Sequence, residues 1–527
     1  MTSAMVIAGY LGLLLTLGVT SNRLFSGSGK DFQLATHSIG PFMLLMSLFG
    51  TTMTAFALIG STGEAWQNGI GVYGKMASSS GIVHSLCFFL LGVKLWKFGH
   101  QYGYATQIEF FRDRLDSPKI GLVLFPILVS MVIVYLLAGI LGAGTVVNVF
   151  TSGAFPNIFT GDPAVPPSVG AIPNWLGSLI ICAVVLIYVF FGGMRGTAWA
   201  NTFQTLAFLI LGLITFFVIA RSLGAGSVLE NMREVSAQVQ DRWTTRAGVS
   251  KSVFLTYMLI PLSVGMFPHI FQHWLTAKDA NTFKLSVIVH PIFILLVWGP
   301  CIMLGIWATT DTAQTLVPAL ARLNHNAPGD QNKVLPILVK GLSGELLGGF
   351  LAAGVLAAIM SSLDSQFLCV GTMFTNDIAK PYFTKDGKLT DQQTVFLTRT
   401  FIILVVVVTY CLSLLDPKAV FGLGVWCFSG FSSLFPLIFA SLYWRRLTRL
   451  GAYASIIAAG GAWCWYFWQA LQADGPLSEY LIKIPMGTTE VEIMPVAAMI
   501  VVSTLALVAG SLASKPLPQQ TVGKFFP

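Results

Sequence analysis

Charged residues are scarce in this sequence. Only 10% of its 527 residues are Asp, Glu, Lys or Arg, whereas 55% are hydrophobic and the mean hydropathy is +0.75. This composition excludes an ordinary soluble protein and predicts a polytopic membrane protein. The formal net charge is +8, but the basic residues are scattered in short runs without a basic face or a nucleic-acid motif. We therefore expect no nucleic-acid partner.

Paired cysteines and catalytic motifs are also missing. The seven cysteines lie within or at the ends of apolar segments, with no CxxC pair and no ligand-like spacing to histidine. This pattern supports neither a disulfide framework nor a zinc site. There is no HExxH, GxSxG or phosphate-loop motif, so we expect no enzyme. The run 4–20 lacks a basic n-region and a clear cleavage site, which indicates a retained span rather than a signal peptide.

Long apolar runs dominate what the sequence does contain. Thirteen runs are long enough to cross about 30 Å of hydrocarbon, so the predicted fold class is an all-α polytopic membrane protein with 13 transmembrane helices. Numbered from zero, spans 0 to 12 are predicted at residues 4–20, 39–60, 71–95, 120–150, 175–192, 197–220, 252–274, 284–308, 345–375, 394–415, 419–444, 450–472 and 492–513. Lysine and arginine in the loops favour an outside N-terminus and a cytoplasmic C-terminus in the plasma (inner) membrane.

Span 8 contains polar residues in an otherwise apolar run. Such groups are costly in hydrocarbon because water is not there to hydrogen-bond them. At about 100° per residue one helical face carries a row of small or hydroxyl-bearing residues, with an acid at its edge: Ala358, Ser361, Ser362 and Ser365, and beside them Asp364. An oxygen-lined face can hold a hard cation. The alternative is that the hydroxyls bond carbonyls of their own helix and Asp364 is a neutral core acid.

Glycine and proline interrupt two spans. Span 1 contains Gly50, Gly60 and Gly63, and span 6 contains Gly265 and Pro268. Backbone carbonyls freed at membrane depth are tolerated where they line a cavity or bind something, although glycines also permit close helix packing. Two broken spans five helices apart are typical of an inverted repeat, with spans 1–5 and 6–10 as its halves. Because five is odd, the second half enters the membrane the opposite way up.

This repeat divides the chain into five predicted segments. They are a peripheral N-terminal helix and loop (1–37), the first five-helix repeat (38–221), an extracellular-side connection (222–251), the second repeat (252–444), and two C-terminal helices with a short tail (445–527).

Four motifs resemble a known family. They are GGMRGTAWANTFQ at 192–204, PHIFQHWLTAKD at 268–279, AAIMSSLDSQ at 357–366 and FPLIFASLYWRRLTRLGAYA at 435–454. From about residue 38 to residue 461 the chain resembles the sodium/solute symporter family, which includes bacterial proline symporters and animal sodium/glucose cotransporters. The resemblance implies a LeuT-like core of two inverted five-helix repeats with three peripheral helices. It also implies sodium-driven uptake by alternating access.

The resemblance further implies the groups that hold sodium. They are the backbone carbonyls of Gly50, Met53 and Ala358 and the hydroxyls of Ser361 and Ser362, which agrees with the oxygen-lined face of span 8. One position departs from the family pattern. Where many members have the aspartate of T-D-x-x-Q, this chain has Asn201.

Asp364 offers a replacement for the missing carboxylate. We predict that Asp364, Ser365 and Asn201 form a second cation site, which would face a polar stripe on span 5. Two alternatives remain open. Asp364 could be protonated by desolvation and carry a proton, or it could only hydrogen-bond span 5.

The solute site is expected near the midplane, between spans 1 and 6 and the faces of spans 3, 8 and 10. The candidate residues are Thr54, Ala57, Tyr135, Phe267, His269, Gln272, Trp426 and Phe428. A histidine or the amide end of a half-helix could receive a carboxylate, although a lone histidine is more often a satisfied core residue. We expect a small polar organic solute, such as an organic acid, an amino acid or a sugar-like nutrient.

Two other functions remain open. One is proton-coupled or sodium-independent transport by the same fold. The other is a transporter-like sensor, which we consider less favoured because the short segment after span 12 leaves no room for an output domain. The expected partners are sodium, a small-molecule solute and the lipid bilayer.

Overall fold

The structure is a computed structural model. It describes residues 1–21, 28–34, 39–160, 169–246, 249–327, 329–384, 387–415, 420–473, 475–486 and 489–526. The predicted boundary between residues 37 and 38 lies outside these ranges.

Helices make up most of the described chain. Spans 0 to 3 correspond to Thr2–Ser21, to the pair Pro41–Thr52 and Phe56–Asn68, to Tyr73–Tyr102 and to Ile120–Thr151. Spans 4 and 5 form Asn174–Ser222, span 6 is the pair Lys251–Gly265 and Pro268–Thr276, and span 7 is Ala280–Trp307. Spans 8 to 12 are Glu345–Phe383, Asp391–Ser413, Val420–Tyr443, Arg449–Gln472 and Pro495–Leu512.

Shorter elements connect these spans. Helices outside the spans include Gln107–Arg114, Val228–Gln238, Val334–Leu342 and Gln519–Phe525. Between spans 11 and 12 the chain forms an antiparallel hairpin of strands β1 (Ile482–Met486) and β2 (Thr489–Ile493), in which Ile484 pairs with Val491. The sequence analysis did not predict this hairpin.

The predicted membrane protein built mostly of helices is confirmed, but the predicted number of spans is not. Within the described residues eight helices are long and apolar enough to cross a membrane, or ten if each bent pair counts as one span. Spans 4 and 5 are two helices that follow one another within Asn174–Ser222 and are separated at Gly193, which has the non-helical angles φ 54° and ψ −155°. A single straight helix over these 49 residues would be about 74 Å long, which is more than twice the thickness of the hydrocarbon. The number thirteen stays a prediction.

Spans 1 and 6 are each bent at an interruption. The two halves of span 1 meet at 57°, and those of span 6 meet at 48°. Met53, which follows the first half of span 1, has φ −92° and ψ 91°, so the helical hydrogen-bond ladder ends there. Phe267 has φ −64° and ψ 116° immediately before Pro268, which begins the second half of span 6. Both bends leave backbone carbonyls inside the protein without helical partners.

Span 8 lies at the centre of the bundle. Every residue from Leu351 to Met373 is buried, although a helix in lipid would expose one side. It packs against spans 0, 1, 3, 4, 5, 6 and 9. Because span 8 is buried around its whole circumference, the polar face predicted on it meets other helices and not lipid.

The C-terminal helix Gln519–Phe525 packs on the helix Gln107–Arg114. The Phe525 ring lies 5.1 Å from the ring of Phe98 and 5.8 Å from that of Phe110. Next to it, the Lys524 ammonium donates a hydrogen bond of 2.9 Å to Asp113. This hydrogen bond raises the pKa of Lys524.

Replacing Phe525 with alanine should destabilise the protein. Its side chain is 4% exposed, and truncation of a buried phenylalanine costs about 3–5 kcal/mol in a well-packed core. We expect a smaller loss at this terminal helix, seen as a lower Tm of the purified protein. Phe383→Ala is the matched control because Phe383 is 74% exposed. An equal Tm for the two variants would contradict the packing described here.

Candidate ion and solute sites

The bend of span 1 meets the polar face of span 8. The Ser361 hydroxyl lies 3.0 Å from the Gly50 carbonyl oxygen and 2.9 Å from the Ala358 carbonyl oxygen, and can donate to either. All three residues are buried. One hydroxyl and two carbonyls from two helices therefore converge within hydrogen-bonding distance, three residues before the point at which span 1 bends.

Gly50 permits this approach because it has no side chain. A Cβ atom at this position would overlap the Thr205 hydroxyl of span 5 and would touch the Ser361 side chain. Thr205 in turn donates a hydrogen bond of 3.0 Å to the Met46 carbonyl, one turn earlier in span 1. Spans 1, 5 and 8 are thus in close contact around the Gly50 carbonyl.

The remaining predicted sodium ligands lie beside this contact. The Ser362 hydroxyl donates to the Ile359 carbonyl of its own helix at 3.0 Å, as the core-packing alternative predicts. The Met53 carbonyl belongs to the residue that ends the first half of span 1. All the oxygens at this place belong to neutral groups, a donor set that suits a hard monovalent cation. The residues therefore fit sodium.

Asp364 lies on the adjacent face of span 8 and is fully buried. One carboxylate oxygen accepts a hydrogen bond of 3.0 Å from the Tyr188 hydroxyl of span 4. The other lies 3.0 Å from the Ser365 hydroxyl. With the Asn201 amide turned so that its nitrogen faces acceptors, that nitrogen donates to both carboxylate oxygens, at 3.0 and 3.1 Å, and the amide oxygen accepts from Ser365. The structure thus brings together Asp364, Ser365 and Asn201.

Two partners of this cluster were not predicted from the sequence. His273 on span 6 places its Nε2 3.0 Å from the Ser365 hydroxyl, and Tyr188 comes from span 4. Nearby Gln204 has both amide atoms buried, beside the side chains of Tyr10 and Tyr188. Among the described side chains, neither lysine nor arginine forms an ion pair with Asp364. Nothing in the sequence near Asp364 indicates contacts with residues this distant along the chain.

A cavity of about 30 Å³ lies between the two bends. Its walls come from spans 1, 2, 3, 6, 7 and 10, and its described lining residues are Thr52, Met53, Phe56, Met76, Ser80, His84, Tyr135, Pro261, Ser263, Phe267, Trp298 and Phe428. None of these carries a formal charge when its histidine is neutral. The volume has room for one or two water molecules, so a solute could enter only if the surrounding helices moved apart.

The predicted solute residues divide between this cavity and other places. Tyr135, Phe267 and Phe428 line it, and the His269 ring stacks on Phe267 at 5.1 Å. Both ring nitrogens of His269 are buried, and neither has a hydrogen-bond partner in the part of the chain that the structure describes.

Four other candidates have local partners. The Thr54 hydroxyl accepts a hydrogen bond from the Phe56 amide, and the Ala57 amide donates to the Thr54 carbonyl, so both stabilise the bend of span 1. Gln272 donates to the Gln33 carbonyl and the Thr372 hydroxyl. Trp426 donates to the Leu477 carbonyl and lines a different cavity.

The sequence matches the model of a known protein family. A family model described as the sodium:solute symporter family matches residues 172–459, which is more than half of the chain. The chain belongs to the sodium:solute symporter family. The predicted membership is confirmed. The symporter is a multi-pass membrane protein, sodium is its coupling ion, and the expectation that it is not an enzyme holds because the family consists of transporters.

Curated relatives and solved structures are similar to the symporter over most of their length. The osmoregulated proline transporter OpuE of Bacillus subtilis (strain 168) is 25% identical over 432 residues, or 81% of each chain. A sodium/proline symporter of Staphylococcus aureus (strain bovine RF122 / ET3-1) is 24% identical over 461 residues, which cover 86% of this chain and 83% of the relative.

The solved structures show that the fold is LeuT-like. A sodium-coupled sialic acid symporter in a substrate-bound, outward-open state superposes with a TM-score of 0.72 at 15% identity and covers 98% of this chain and 99% of its own. A nucleobase-cation-symport-1 family transporter in a closed conformation gives a TM-score of 0.54 at 13% identity, over 94% and 95% of the two chains. At these identities the likeness concerns the fold alone.

Proposed function

We propose that the symporter uses the downhill entry of sodium to drive uptake of a small polar organic solute by alternating access. The observation that carries the proposal is the position of the Ser361 hydroxyl, within 3.0 Å of the carbonyls of both Gly50 and Ala358. A cation held between spans 1 and 8 would fix the position of the bend, and the bend forms part of the wall of the solute cavity. Binding of the cation therefore favours one arrangement of that wall.

The proposed sodium ligands are the carbonyls of Gly50, Met53 and Ala358 and the hydroxyls of Ser361 and Ser362. A bound sodium would require the Ser361 hydroxyl to turn a lone pair toward it and to release the Gly50 and Ala358 carbonyls, which would then become ligands. The Ser362 hydroxyl could offer a lone pair while it still donates to the Ile359 carbonyl. The exchange replaces hydrogen bonds with metal–oxygen contacts and leaves no buried acceptor unsatisfied.

We further propose a second cation site at Asp364, Ser365 and Asn201. Hydroxyl and amide groups surround both carboxylate oxygens. A buried carboxylate without a basic partner among the described side chains favours a bound cation. Proton transfer on Asp364 and a purely structural role are the two competing functions for this group.

The two bends support the proposed repeat. They lie at residues 53 and 266, in spans 1 and 6, which are the first members of the proposed halves 38–221 and 252–444. The remaining segments, 1–37, 222–251 and 445–527, would lie outside the repeat. In the proposed orientation the N-terminus is outside and the C-terminus is cytoplasmic.

Sodium should stabilise the purified symporter against heat. A ligand that binds only the folded state at 100 times its dissociation constant adds about 2.7 kcal/mol, so we expect Tm to rise with sodium concentration. Potassium at the same ionic strength is the control.

Solute uptake into proteoliposomes, with a panel of labelled amino acids, organic acids and sugars, should require an inward sodium gradient. Uptake that is driven instead by a proton gradient, without any effect of sodium on Tm, would reject the proposed coupling.

A further inference from the structure

Two histidines from different spans form a buried pair at the cavity. His84 lies on span 2 and His290 lies on span 7, and the His84 Nδ1 and His290 Nε2 atoms are 3.1 Å apart. His84 is 8% exposed and His290 is fully buried. His84 lines the cavity. Neither histidine belongs to the motifs that resemble the family.

Aromatic rings hold His290 in position. Phe49 packs edge-on against its ring at 5.4 Å, and Phe88 does so at 5.0 Å. Phe49 immediately precedes Gly50, so the pair also contacts the half of span 1 that carries the proposed sodium ligand. The His290 Nδ1 atom is buried and has no hydrogen-bond partner. His290 therefore bonds to His84 and to nothing else that the structure describes.

One proton lies between the two facing nitrogens of the pair. The nitrogen that carries it decides whether the Nε2 atom of His84 is a hydrogen-bond donor or an acceptor. If His84 donated from Nδ1, His290 would carry its own proton on Nδ1, where the N–H would be buried without an acceptor. If His290 donates from Nε2, its Nδ1 is only an unused acceptor, which is the less costly arrangement. His84 then carries its remaining proton on Nε2. In this arrangement His84, which lines the cavity, has an N–H at Nε2 that His290 does not use.

Two further donors line the same cavity. The Tyr135 hydroxyl and the Trp298 indole N–H are both buried; the hydroxyl lies beside the Thr54 side chain, and within the described residues the indole N–H has no hydrogen-bond partner. The other described lining residues are three phenylalanines, two methionines, one proline and three residues with hydroxyl groups, Thr52, Ser80 and Ser263. N–H groups such as those of His84 and Trp298 only donate, so they pair best with an atom that only accepts, such as a carboxylate oxygen. Each hydroxyl of a polyol also brings a hydrogen that needs an acceptor of its own, which these N–H groups do not supply.

We propose that His84, fixed in its tautomer by His290, donates from Nε2 to a carboxylate of the transported solute, and that the solute is a small monocarboxylate or zwitterionic amino acid. The proposal rests on the transport function proposed above and narrows its solute class. His84 and Trp298 thereby become residues that determine specificity, in addition to Tyr135. Because the described cavity walls carry no formal positive charge, selection among solutes depends on the number and direction of neutral donors.

The first test compares solutes by their effect on Tm in the presence of sodium. The probes are L-proline, L-alanine, L-lactate, L-prolinamide, D-glucose and myo-inositol. We expect at least one of the three carboxylates to raise Tm, and we expect no effect from the amide or the polyols. If a polyol alone binds and is taken up with sodium, the proposed function stands and this inference is overturned. If no probe is taken up and sodium has no effect on Tm, the proposed function fails.

The second test separates the two ring nitrogens of His84. The amide nitrogen of glutamine occupies about the position of Nε2, whereas that of asparagine occupies about the position of Nδ1. For the carboxylate that binds, His84→Asn should raise KM by about tenfold or more, and His84→Gln should recover much of the affinity. His100→Asn, at the end of the same span, is the control. A sodium-dependent Tm retained in each variant shows that it has folded, and an unchanged KM in His84→Asn would overturn the assignment.

Discussion

Sodium-driven uptake should be lost when Ser361 is replaced with alanine. The substitution removes the hydroxyl that lies between the Gly50 and Ala358 carbonyls, and it leaves both carbonyls buried. A cation at this position would lose one of its five proposed oxygen ligands. A loss of about 3 kcal/mol is a more than hundredfold weaker affinity. We therefore expect uptake at ordinary sodium concentrations to fall to background.

The measurement is the sodium dependence of uptake into proteoliposomes, together with the sodium dependence of Tm. Ser130→Ala is the matched control because the Ser130 hydroxyl is exposed and bonds only the Ile127 carbonyl of its own helix. If the variant at position 361 keeps its sodium affinity, the hydroxyl belongs to the helix backbone alone and the proposed ligand set is incorrect. Thr205→Ala is not a suitable control, since the Thr205 hydroxyl bonds span 1 beside the site.

Local sequence features account for the parts of this fold that depend on one segment. The hydropathy of each span, the bend near Gly50 and the bend near Pro268 follow from residue types that act on their own backbone. The contact between Ser361 and Gly50 could be predicted from the family resemblance and from the oxygen-lined face of span 8. The polar residues of span 8 were also informative, because polar groups in hydrocarbon need hydrogen-bond partners.

Contacts between spans that are far apart in the sequence could not be predicted in this way. Tyr188 bonds Asp364 across 176 positions of the chain, and neither the tyrosine nor its neighbours indicate this from their spacing. His84 and His290 are separated by 206 positions and lie on two spans that were not expected to line the solute site. The predicted solute residues came mainly from the broken helices, yet a residue beside a break can face the cavity or point away from it. Gln272 faces Gln33 and Thr372, for example, while Phe267 faces the cavity.

Replacing Asp364 with asparagine should lower the number of sodium ions that enter with each solute molecule. Both carboxylate oxygens accept from the Asn201 amide and one of them also accepts from Tyr188, while the Ser365 hydroxyl donates to the Asn201 oxygen. Asparagine would place a donor where one of these acceptors stood and would remove the formal negative charge. Loss of one partner from a buried charged pair costs about 3–5 kcal/mol, so a cation bound at this position should be released. The ratio of sodium to solute flux measures the effect directly.

The exchange variant Asp364→Asn with Asn201→Asp provides the matched control. It moves the carboxylate from span 8 to span 5, where many members of the family have it, and it keeps the charge and the amide in one cluster. If the carboxylate serves as a cation ligand, the exchange variant should recover part of the sodium flux that the single variant loses. If instead Asp364 carries a proton, the single variant should change the pH dependence of uptake and leave the sodium ratio intact. An Asp364→Asn protein that keeps both properties would assign Asp364 to helix packing alone, because neither ion would then depend on its charge.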